Sequence, residues 1–390
     1  MSLSIFRKFN LGRLFFGVLL ILISVPILVG CTGQNRNAAT QSWSGVAVSN
    51  DTTYIGTKDG KLIQLSVEGG IARIAPFEAP QTKQNQGFPA IYGTPTINED
   101  RIYFGTYNGL VVSLNRTDLR DMRSFEIGGN DLTKGIAGSV IVHENRLVVA
   151  AAEDANEGRL YVLDSQTLSE ICRYPARNED PIGQLWTTPI VANGVAYFGD
   201  LNHYVHSISI ADCSTNWVSP TKLGGAVVSP PTILGNNLYL GTFDQYFYEI
   251  DLLTGSSKKL FAGENWFWAG SITDGNTFYI PNMDGNIYAY DVGTGRIRWV
   301  YPDEPQIDPI LAAPVLYEDE LVYATDAGMM VVLDAVSGSR LWDRRVGDSV
   351  RSPLTSSENL VFLHSIDETI TAIDMETRQL AWARNLEDVR

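Results

Sequence analysis

Short apolar runs rich in β-branched and aromatic residues recur along the chain after residue 40, and clusters of glycine, asparagine and aspartate separate them. The run at 277–280, for example, follows the turn-forming sequence Asp274-Gly275-Asn276. Runs of this kind are typical of β-strands joined by tight hairpins. No long helical periodicity interrupts them. The pattern therefore predicts an all-β chain.

One glycine-led module recurs eight times. Its clearest copy begins at Gly285, has Asp291 six positions later and ends at Trp299. Successive copies begin 49, 49, 45, 42, 40, 43 and 40 residues apart, and one four-stranded propeller blade has a period of about 40–50 residues. We therefore predict an eight-bladed β-propeller of four-stranded antiparallel blades. The copies begin at Gly60, Gly109, Gly158, His203, Gln245, Gly285, Gly328 and Glu368.

The position of Asp291 in the module is occupied by a small polar or acidic residue in every copy, and we interpret it as a turn-forming position whose side chain bonds local backbone. In the blade that contains it, strands are predicted at 268–273, 277–281, 286–291 and 296–300. The last repeat supplies its own outer strand at 379–385, so we expect a ring of complete blades. The aspartates at this position are Asp164, Asp251, Asp291, Asp334 and Asp374.

The second half of the module resembles the tryptophan-docking motif of propellers built from pyrroloquinoline-quinone (PQQ) repeats. The resemblance covers nearly the whole chain after residue 43 and implies the propeller fold, whether or not a quinone is bound. It also implies that the motif tryptophans pack one blade on the next, each burying roughly 150–250 Å². The residues at the motif positions are Trp217, Trp299, Trp342 and Trp382, with Gly295 and Gly338.

Four copies have lost the motif tryptophan: Ile74, Arg123, Cys172 and Lys259 occupy its position. Cys213 occupies the motif glycine position of the copy that follows Cys172. In the family that this chain resembles, the tryptophan of one motif stacks on the glycine of the next. A disulfide between Cys172 and Cys213 would therefore replace a missing contact. Two buried free thiols remain the alternative.

The first 30 residues have the features of a targeting segment. Arg7, Lys8 and Arg13 precede an apolar stretch of 17 residues at 14–30, which is short for a membrane span. The stretch ends in 28–31, Leu-Val-Gly-Cys, which resembles the bacterial lipobox. The resemblance implies a signal peptide at 1–30 and a diacylated Cys31, with an uncleaved signal anchor as the alternative. We expect residues 31–42 to be a flexible tether and 43–390 to be a single propeller, anchored outside the cytoplasm to a bacterial membrane.

The charge is strongly negative, and it excludes some partners. The net charge is −15, and removal of the three basic residues in 1–30 leaves −18. So acidic a body argues against binding to nucleic acid and against adsorption on anionic lipid.

The sequence offers little for catalysis. It contains no nucleophile elbow, P-loop, zinc-ligand spacing or dinucleotide fingerprint. His203 and His206 are three apart, so on a strand they would face opposite sides rather than share a metal. The acidic insertion at 153–157 is interpreted as a solvated loop. Quinoprotein alcohol dehydrogenases carry an adjacent cysteine pair that this chain lacks, so we expect no PQQ, no metal and no catalytic residue.

Four aromatic residues stand at equivalent positions where inner strands begin, namely Trp43, Tyr92, Trp186 and Trp268. Inner strands begin at one mouth of the central channel, and aromatic side chains there are efficient contacts for a partner protein. Packing between blades is the alternative interpretation. The long connectors at 75–90, 120–135 and 174–184 are expected on the same face.

In length, lipobox and repeat number the chain resembles the propeller lipoprotein subunit of the outer-membrane β-barrel assembly machinery. The resemblance implies a non-enzymatic scaffold that binds envelope proteins as a monomer within a larger complex. Two other functions stay open from the sequence: a PQQ-dependent dehydrogenase, and a surface sensor that binds a glycan or a peptide.

Overall fold

The structure is a computed structural model, and it describes residues 43–75, 89–129, 133–303 and 308–389. The predictions made for the signal peptide at 1–30, for Cys31 and for the tether concern residues outside these ranges. The same holds for most of the first long connector.

The described residues form eight four-stranded antiparallel sheets, each built from four consecutive strands. The first four blades are Ala47–Ser49 (β1), Thr52–Gly56 (β2), Leu62–Ser66 (β3), Ile71–Ile74 (β4); Thr96–Asn98 (β5), Arg101–Gly105 (β6), Leu110–Asn115 (β7), Arg123–Glu126 (β8); Ile141–His143 (β9), Arg146–Asp154 (β10), Glu157–Asp164 (β11), Glu170–Tyr174 (β12); Ile190–Ala192 (β13), Val195–Gly199 (β14), Tyr204–Ser209 (β15), Thr221–Lys222 (β16).

The last four blades are Thr232–Leu234 (β17), Asn237–Gly241 (β18), Tyr246–Asp251 (β19), Ser257–Ala262 (β20); Ile272–Thr273 (β21), Thr277–Pro281 (β22), Ile287–Asp291 (β23), Arg296–Tyr301 (β24); Val315–Tyr317 (β25), Glu320–Ala324 (β26), Met329–Asp334 (β27), Arg340–Arg345 (β28); Thr355–Ser357 (β29), Leu360–His364 (β30), Thr369–Asp374 (β31), Gln379–Asn385 (β32). A 3₁₀ turn, Leu386–Asp388, follows β32. First strands contact each other from β25 through β29, β1, β5 and β9 to β13, and the contact between β29 and β1 closes the ring. The predicted eight-bladed propeller is confirmed.

The turns explain why the module begins with glycine. The hairpin before the third strand places its last residue at positive φ, +86° at Gly285, a conformation that glycine adopts without steric cost. His203 occupies the equivalent position at φ +76°. It therefore lies in a turn, whereas the sequence analysis had placed it on a strand with His206.

Strand lengths differ from the prediction at the inner and outer edges. The inner strand of the sixth blade, predicted from residue 268, begins only at Ile272. In the fourth blade β16 contains two residues, Thr221 and Lys222, because the preceding segment ends in Pro220, which has no N–H to donate to a ladder. The predicted backbone bonding of the turn aspartates is confirmed: Asp291 Oδ1 accepts a hydrogen bond from the Thr294 N–H at 2.7 Å.

Apolar packing between blades supplies the core. Each of eight clusters of buried side chains lies between two neighbouring blades. The cluster between the fifth and sixth blades is the most aromatic and includes Phe247, Phe267, Phe278 and Tyr288. The alignment of modules placed Lys259 at the motif tryptophan position here, but that position is wrong: Lys258 pairs with Glu249, the equivalent of Ala289, because the β-bulge of this blade is shifted by one residue. Neither lysine can replace the ring, so aromatic packing holds together a pair of blades without that contact.

The motif tryptophans pack on the backbone of the following blade. The indole N–H of Trp299 donates to the Ala335 carbonyl at 3.2 Å, and a Cβ added to Gly338 would lie 2.5 Å from the ring. A β-bulge precedes Trp299, where Ala289 and Tyr290 pair with Trp299 and Ile297, and a bulge of this kind re-aims the side chain that follows it. The same packing joins Trp217 to Gly255 and Trp382 to Gly69.

Interfaces without the tryptophan use other contacts. In the first blade Arg73, rather than the predicted Ile74, stands at the motif position, because it pairs with Gln64, the equivalent of Ala289. Arg73 donates to the Thr117 carbonyl of the second blade, and Arg123 donates to the Gln166 carbonyl of the third. Between the third and fourth blades, Cys172 and Cys213 form a disulfide with a Cα–Cα distance of 5.8 Å. The covalent bond lies where the sequence alignment of the modules had suggested it.

The ring closes between two complete blades. Trp382 donates to the Val67 carbonyl at 2.7 Å, and Thr355 Oγ1 donates to the Val46 carbonyl at 2.7 Å. Leu386 of the terminal 3₁₀ turn is buried in the cluster that the eighth and first blades share. The two ends of the described chain are therefore joined by side-chain packing and hydrogen bonds rather than by a shared sheet.

Two buried side chains meet at this closing interface. His364 Nδ1 lies 2.8 Å from the Ser44 carbonyl, and an oxygen of Glu368 accepts from the Lys58 N–H at 2.8 Å. His364 Nε2 and the other oxygen, Oε2 of Glu368, are 3.6 Å apart, and neither has a hydrogen-bond partner among the described residues. A carbonyl can only accept, so Nδ1 carries a proton.

Candidate functional site

One face of the ring carries both the connectors between blades and the turns between second and third strands. We call it the connector face. Hydrogen bonds join the two kinds of segment: the Phe243 N–H donates to the Ala226 carbonyl, and the Met283 N–H donates to the Trp266 carbonyl, both at 3.0 Å. Inner strands begin on this face, as the sequence analysis expected. Loops on so rigid a scaffold are suited to binding.

The aromatic residues of the first two blades pack on each other. The ring centroids of Trp43 and Tyr92 are 4.9 Å apart, and those of Tyr92 and Tyr107 are 5.0 Å apart. Tyr92 is buried, and burial raises the pKa of its hydroxyl. Tyr92 is therefore positioned for packing between blades, with Trp43 partly covering it.

Trp186 is placed differently, because 38 % of its surface is exposed. Its indole N–H donates to Gln184 Oε1 at 3.1 Å, and Gln184 in turn donates to the Asp154 carbonyl at 2.6 Å. The ring is thus oriented by the connector that carries it. It presents an apolar surface to solvent on the connector face.

Trp268 belongs to a second aromatic group. Phe243 stacks on Trp266 with a centroid distance of 4.5 Å and an interplanar angle of 12°, and it stacks on Trp268 at 5.9 Å. Trp266 is 44 % exposed, and it was missed by the sequence analysis. The run Trp266-Phe267-Trp268 held the signal, because it places three consecutive aromatic residues in one short connector. The four predicted residues therefore do not form one continuous ring of aromatics.

The surroundings of the second group are acidic. Asp244, Glu264 and Asp284 lie in the two turns and the connector that carry it, and those segments (242–245, 263–268 and 282–285) contain no lysine or arginine. Although burial opposes its ionisation, hydrogen bonds from Thr242 and Tyr248 and the nearby Lys259 hold the pKa of Asp244 below its ordinary value. Asp244 is therefore ionised at neutral pH, and its charge is paired with that of Lys259.

One histidine and one glutamate from the candidate clusters are buried beside a side chain of the opposite type. His206 is buried, and its Nε2 lies 3.0 Å from Asp200 Oδ2. Glu153, expected in a solvated loop, is instead buried at the end of β10, where it pairs with Arg159 at 2.7 Å. Among the described residues, no group of three or more His, Cys, Asp or Glu side chains is arranged to hold a metal ion. In the same residues, no helix is long and apolar enough to cross a membrane.

A family model described as outer membrane protein assembly factor BamB matches this sequence at residues 33–260, 129–301 and 283–389. The chain belongs to this family. Among curated relatives it is 24% identical over 226 residues to outer membrane protein assembly factor BamB of Bordetella pertussis, covering 53% of this chain and 56% of that one. It is 25% identical over 182 residues to the BamB of Taylorella asinigenitalis, covering 43% and 46%. The matched segments thus span about half the length of these relatives.

Solved structures agree on the fold. The structure of BamB from Moraxella catarrhalis matches with a TM-score of 0.67 at 16% identity, covering 84% of this chain and 92% of that one. A europium-containing methanol dehydrogenase matches with a TM-score of 0.64 at 13% identity, covering 85% and 82%. Identities this low show a shared fold and do not separate a scaffold from an enzyme.

Proposed function

We propose that this protein is a non-enzymatic scaffold that binds protein partners in the cell envelope and takes part in the assembly of outer-membrane proteins. The observation that carries the proposal is the connector face, where Trp186 and Trp266 expose large rings on rigid loops of a chain that belongs to the BamB family. Rigid aromatic side chains bind partners at a low cost in conformational entropy.

The lipobox-like end of the targeting segment supports a membrane tether. We propose that Cys31 is lipidated and that residues 31–42 hold the propeller near the membrane surface, outside the cytoplasm. The Cys172–Cys213 disulfide supports the same location, because disulfides persist in oxidising compartments. We propose that no quinone is bound, since the sequence has no adjacent cysteine pair.

Removal of the protein from the bacterium that produces it tests the assembly function. We expect lower amounts of β-barrel proteins in the outer membrane, restored by the wild-type chain and restored poorly by Trp186→Ala/Trp266→Ala. The matched control is Leu341→Ala/Leu380→Ala, which truncates two side chains of similar exposure, 48% and 45%, on outer strands. This control should restore assembly fully.

A second measurement separates the scaffold from the enzyme. The purified protein, mixed with PQQ and Ca²⁺, should show no saturable quinone absorbance and no reduction of a dye. Turnover under these conditions, or unchanged barrel proteins after removal of the protein, would contradict the proposed function.

A further inference from the structure

The aromatic group between the fifth and sixth blades has a chemistry of its own. It consists of Phe243, Trp266 and Trp268 with the carboxylates of Glu264 and Asp284, and we call it the blade 5–6 patch. One face of the Trp266 indole stacks on Phe243, and 44 % of the Trp266 side chain remains open to solvent. A flat π-surface held in this way is available to a second ring or to a cation.

The backbone of the patch is held from both sides. The Gly263 N–H donates to the Gln245 carbonyl of the fifth blade at 2.8 Å. Asn282 Nδ2 of the sixth blade donates to the Asn265 carbonyl at 2.9 Å, and Asp284 Oδ2 accepts from the Glu264 N–H at 3.1 Å. The Trp266 ring is therefore presented by a fixed loop, and little further ordering accompanies binding.

Two of the three carboxylates near the patch have no basic side chain paired with them. Asp244 pairs with Lys259 at 3.1 Å. Glu264 and Asp284, in contrast, have no lysine or arginine within ion-pair distance among the described residues, and the Glu264 side chain is exposed. Glu264 stands two residues before Trp266 in the same loop, and Asp284 accepts from the Glu264 N–H, so both carboxylates belong to the segments that hold the ring. Their charge adds a negative potential to that of the negative ring face.

We propose that the blade 5–6 patch binds a lysine or arginine side chain of a partner protein segment, which stacks on the open face of Trp266 beside Glu264. A cation over an indole gains roughly 0.5–2 kcal/mol, which corresponds to about 2–30-fold in affinity. An acidic segment is repelled by the same carboxylates. This inference rests on the proposed function and specifies the partner chemistry at one part of the connector face.

The test uses the whole chain labelled with fluorotryptophan, whose eight tryptophans give eight ¹⁹F resonances. The Trp266 resonance is assigned by its loss in Trp266→Phe. The probes are three short blocked peptides with a central arginine, citrulline or glutamate between two leucines. We expect the arginine peptide to shift the Trp266 resonance saturably, with an affinity at least about fivefold above that of the uncharged citrulline peptide.

Variants and salt locate the source of the preference. Glu264→Gln should lower the affinity for the arginine peptide by roughly two- to fivefold and leave the affinity for the citrulline peptide unchanged. Added salt should likewise lower the affinity for the arginine peptide, because it screens the charge of Glu264. Two controls are expected to show no effect. The ¹⁹F resonance of the buried Trp217 should not shift when peptide is added, and Leu380→Ala, on an exposed outer strand, should not change the affinity for the arginine peptide. Equal binding of the arginine and citrulline peptides, or an unmoved Trp266 resonance, would overturn the inference.

These outcomes are separable from those of the proposed function. If barrel assembly depends on the protein but the arginine preference is absent, the patch chemistry is wrong and the scaffold function stands. If the peptide preference is present but removal of the protein leaves barrel proteins unchanged, the patch is a cation-recognition surface and the assembly function is wrong.

Discussion

Arg378 adopts a turn conformation that is better suited to glycine, and its side-chain contacts stabilise it there. Its φ is +61°, and it stands at the motif glycine position of the eighth blade. Its guanidinium lies over the Trp342 ring, 5.5 Å from the centroid, and it forms two hydrogen bonds with Glu320 of the preceding blade. The ion pair and the cation–π contact together offset the strained backbone conformation.

Gly338 permits a direct test of the tryptophan packing at the level of one Cβ atom. Gly338→Ala should lower stability by about 2–4 kcal/mol, since it strains a φ of +72° and places a methyl group 2.5 Å from Trp299. Gly194→Ala is the matched control, because its φ is +74° and nothing lies within 4 Å of the added Cβ. It should cost only about 1 kcal/mol.

Denaturant midpoints of the two variants give the comparison. Equal losses would show that the tryptophan contact adds nothing to the backbone strain, and that Trp299 yields to the added methyl group.

Some turn and aromatic residues could be predicted from the sequence, and others could not. The turn glycines and the motif tryptophans were readable because their chemistry repeats. Leu119, Leu168 and Cys213 stand at the motif glycine position with φ between +56° and +59°, which no residue preference would suggest. Trp266 was missed because the alignment of modules compares only the positions predicted to begin each inner strand, and Trp266 stands two residues before that position.

At the scale of elements, the outer turns depend on ionised aspartates. Hydrogen bonds from Thr294 and the neighbouring Arg298 lower the pKa of Asp291 to about 2. A group whose pKa is lowered in the folded state stabilises the fold above its unfolded pKa, and this contribution is lost as pH falls through the folded value. The turn should therefore weaken between about pH 4 and pH 2.

Asp291→Asn keeps an acceptor oxygen but does not titrate. We expect the denaturant midpoint of the wild type to exceed that of Asp291→Asn at pH 6, with the difference shrinking as pH falls towards 2. Asp319→Asn, in the exposed turn between β25 and β26 of the seventh blade, provides the comparison. A difference that stays constant over this range would mean that the Asp291 charge does not contribute to the turn.

At the interface between the eighth and first blades, two substitutions of Glu368 can be compared. Glu368→Gln should retain stability within about 1 kcal/mol, because its amide N–H can donate to His364 Nε2 while its oxygen still accepts from Lys58. Glu368→Ala removes the acceptor of the Lys58 N–H and leaves a void beside His364, so it should cost at least about 2 kcal/mol more. Urea midpoints at neutral pH test this, and equal losses would show that the His364–Glu368 contact is unimportant.

Among whole elements, the four-strand period could be predicted from the spacing of turns, but the edges of the blades could not. Strand β16 is short because Pro220 interrupts its start, and β21 has only two residues although the apolar pattern predicts six. The bulge before Trp299 adds one residue to an outer strand without changing the apolar pattern that the sequence displays. Local pairing geometry of this kind is set by packing between blades.

At the scale of the whole molecule, the disulfide is the one covalent link between blades other than the backbone, within the described residues. It closes a loop with a sequence separation of 41, for which about 2–4 kcal/mol of stabilisation is expected. Cys172→Ser/Cys213→Ser should lower the free energy of unfolding by that amount. A reductant should lower the denaturant midpoint of the wild type and leave that of the double variant unchanged.

The same disulfide also determines what happens to the molecule after a protease cuts it. Peptide-bond cleavage anywhere between Cys172 and Cys213, including the connector that carries Trp186, would leave two fragments still tied together across the third and fourth blades. Because the eighth and first blades also remain packed on each other, a nicked molecule would keep a closed ring. A protein cut once between these cysteines would thus migrate as two pieces under denaturing conditions only after reduction, and until then its eight blades would stay together.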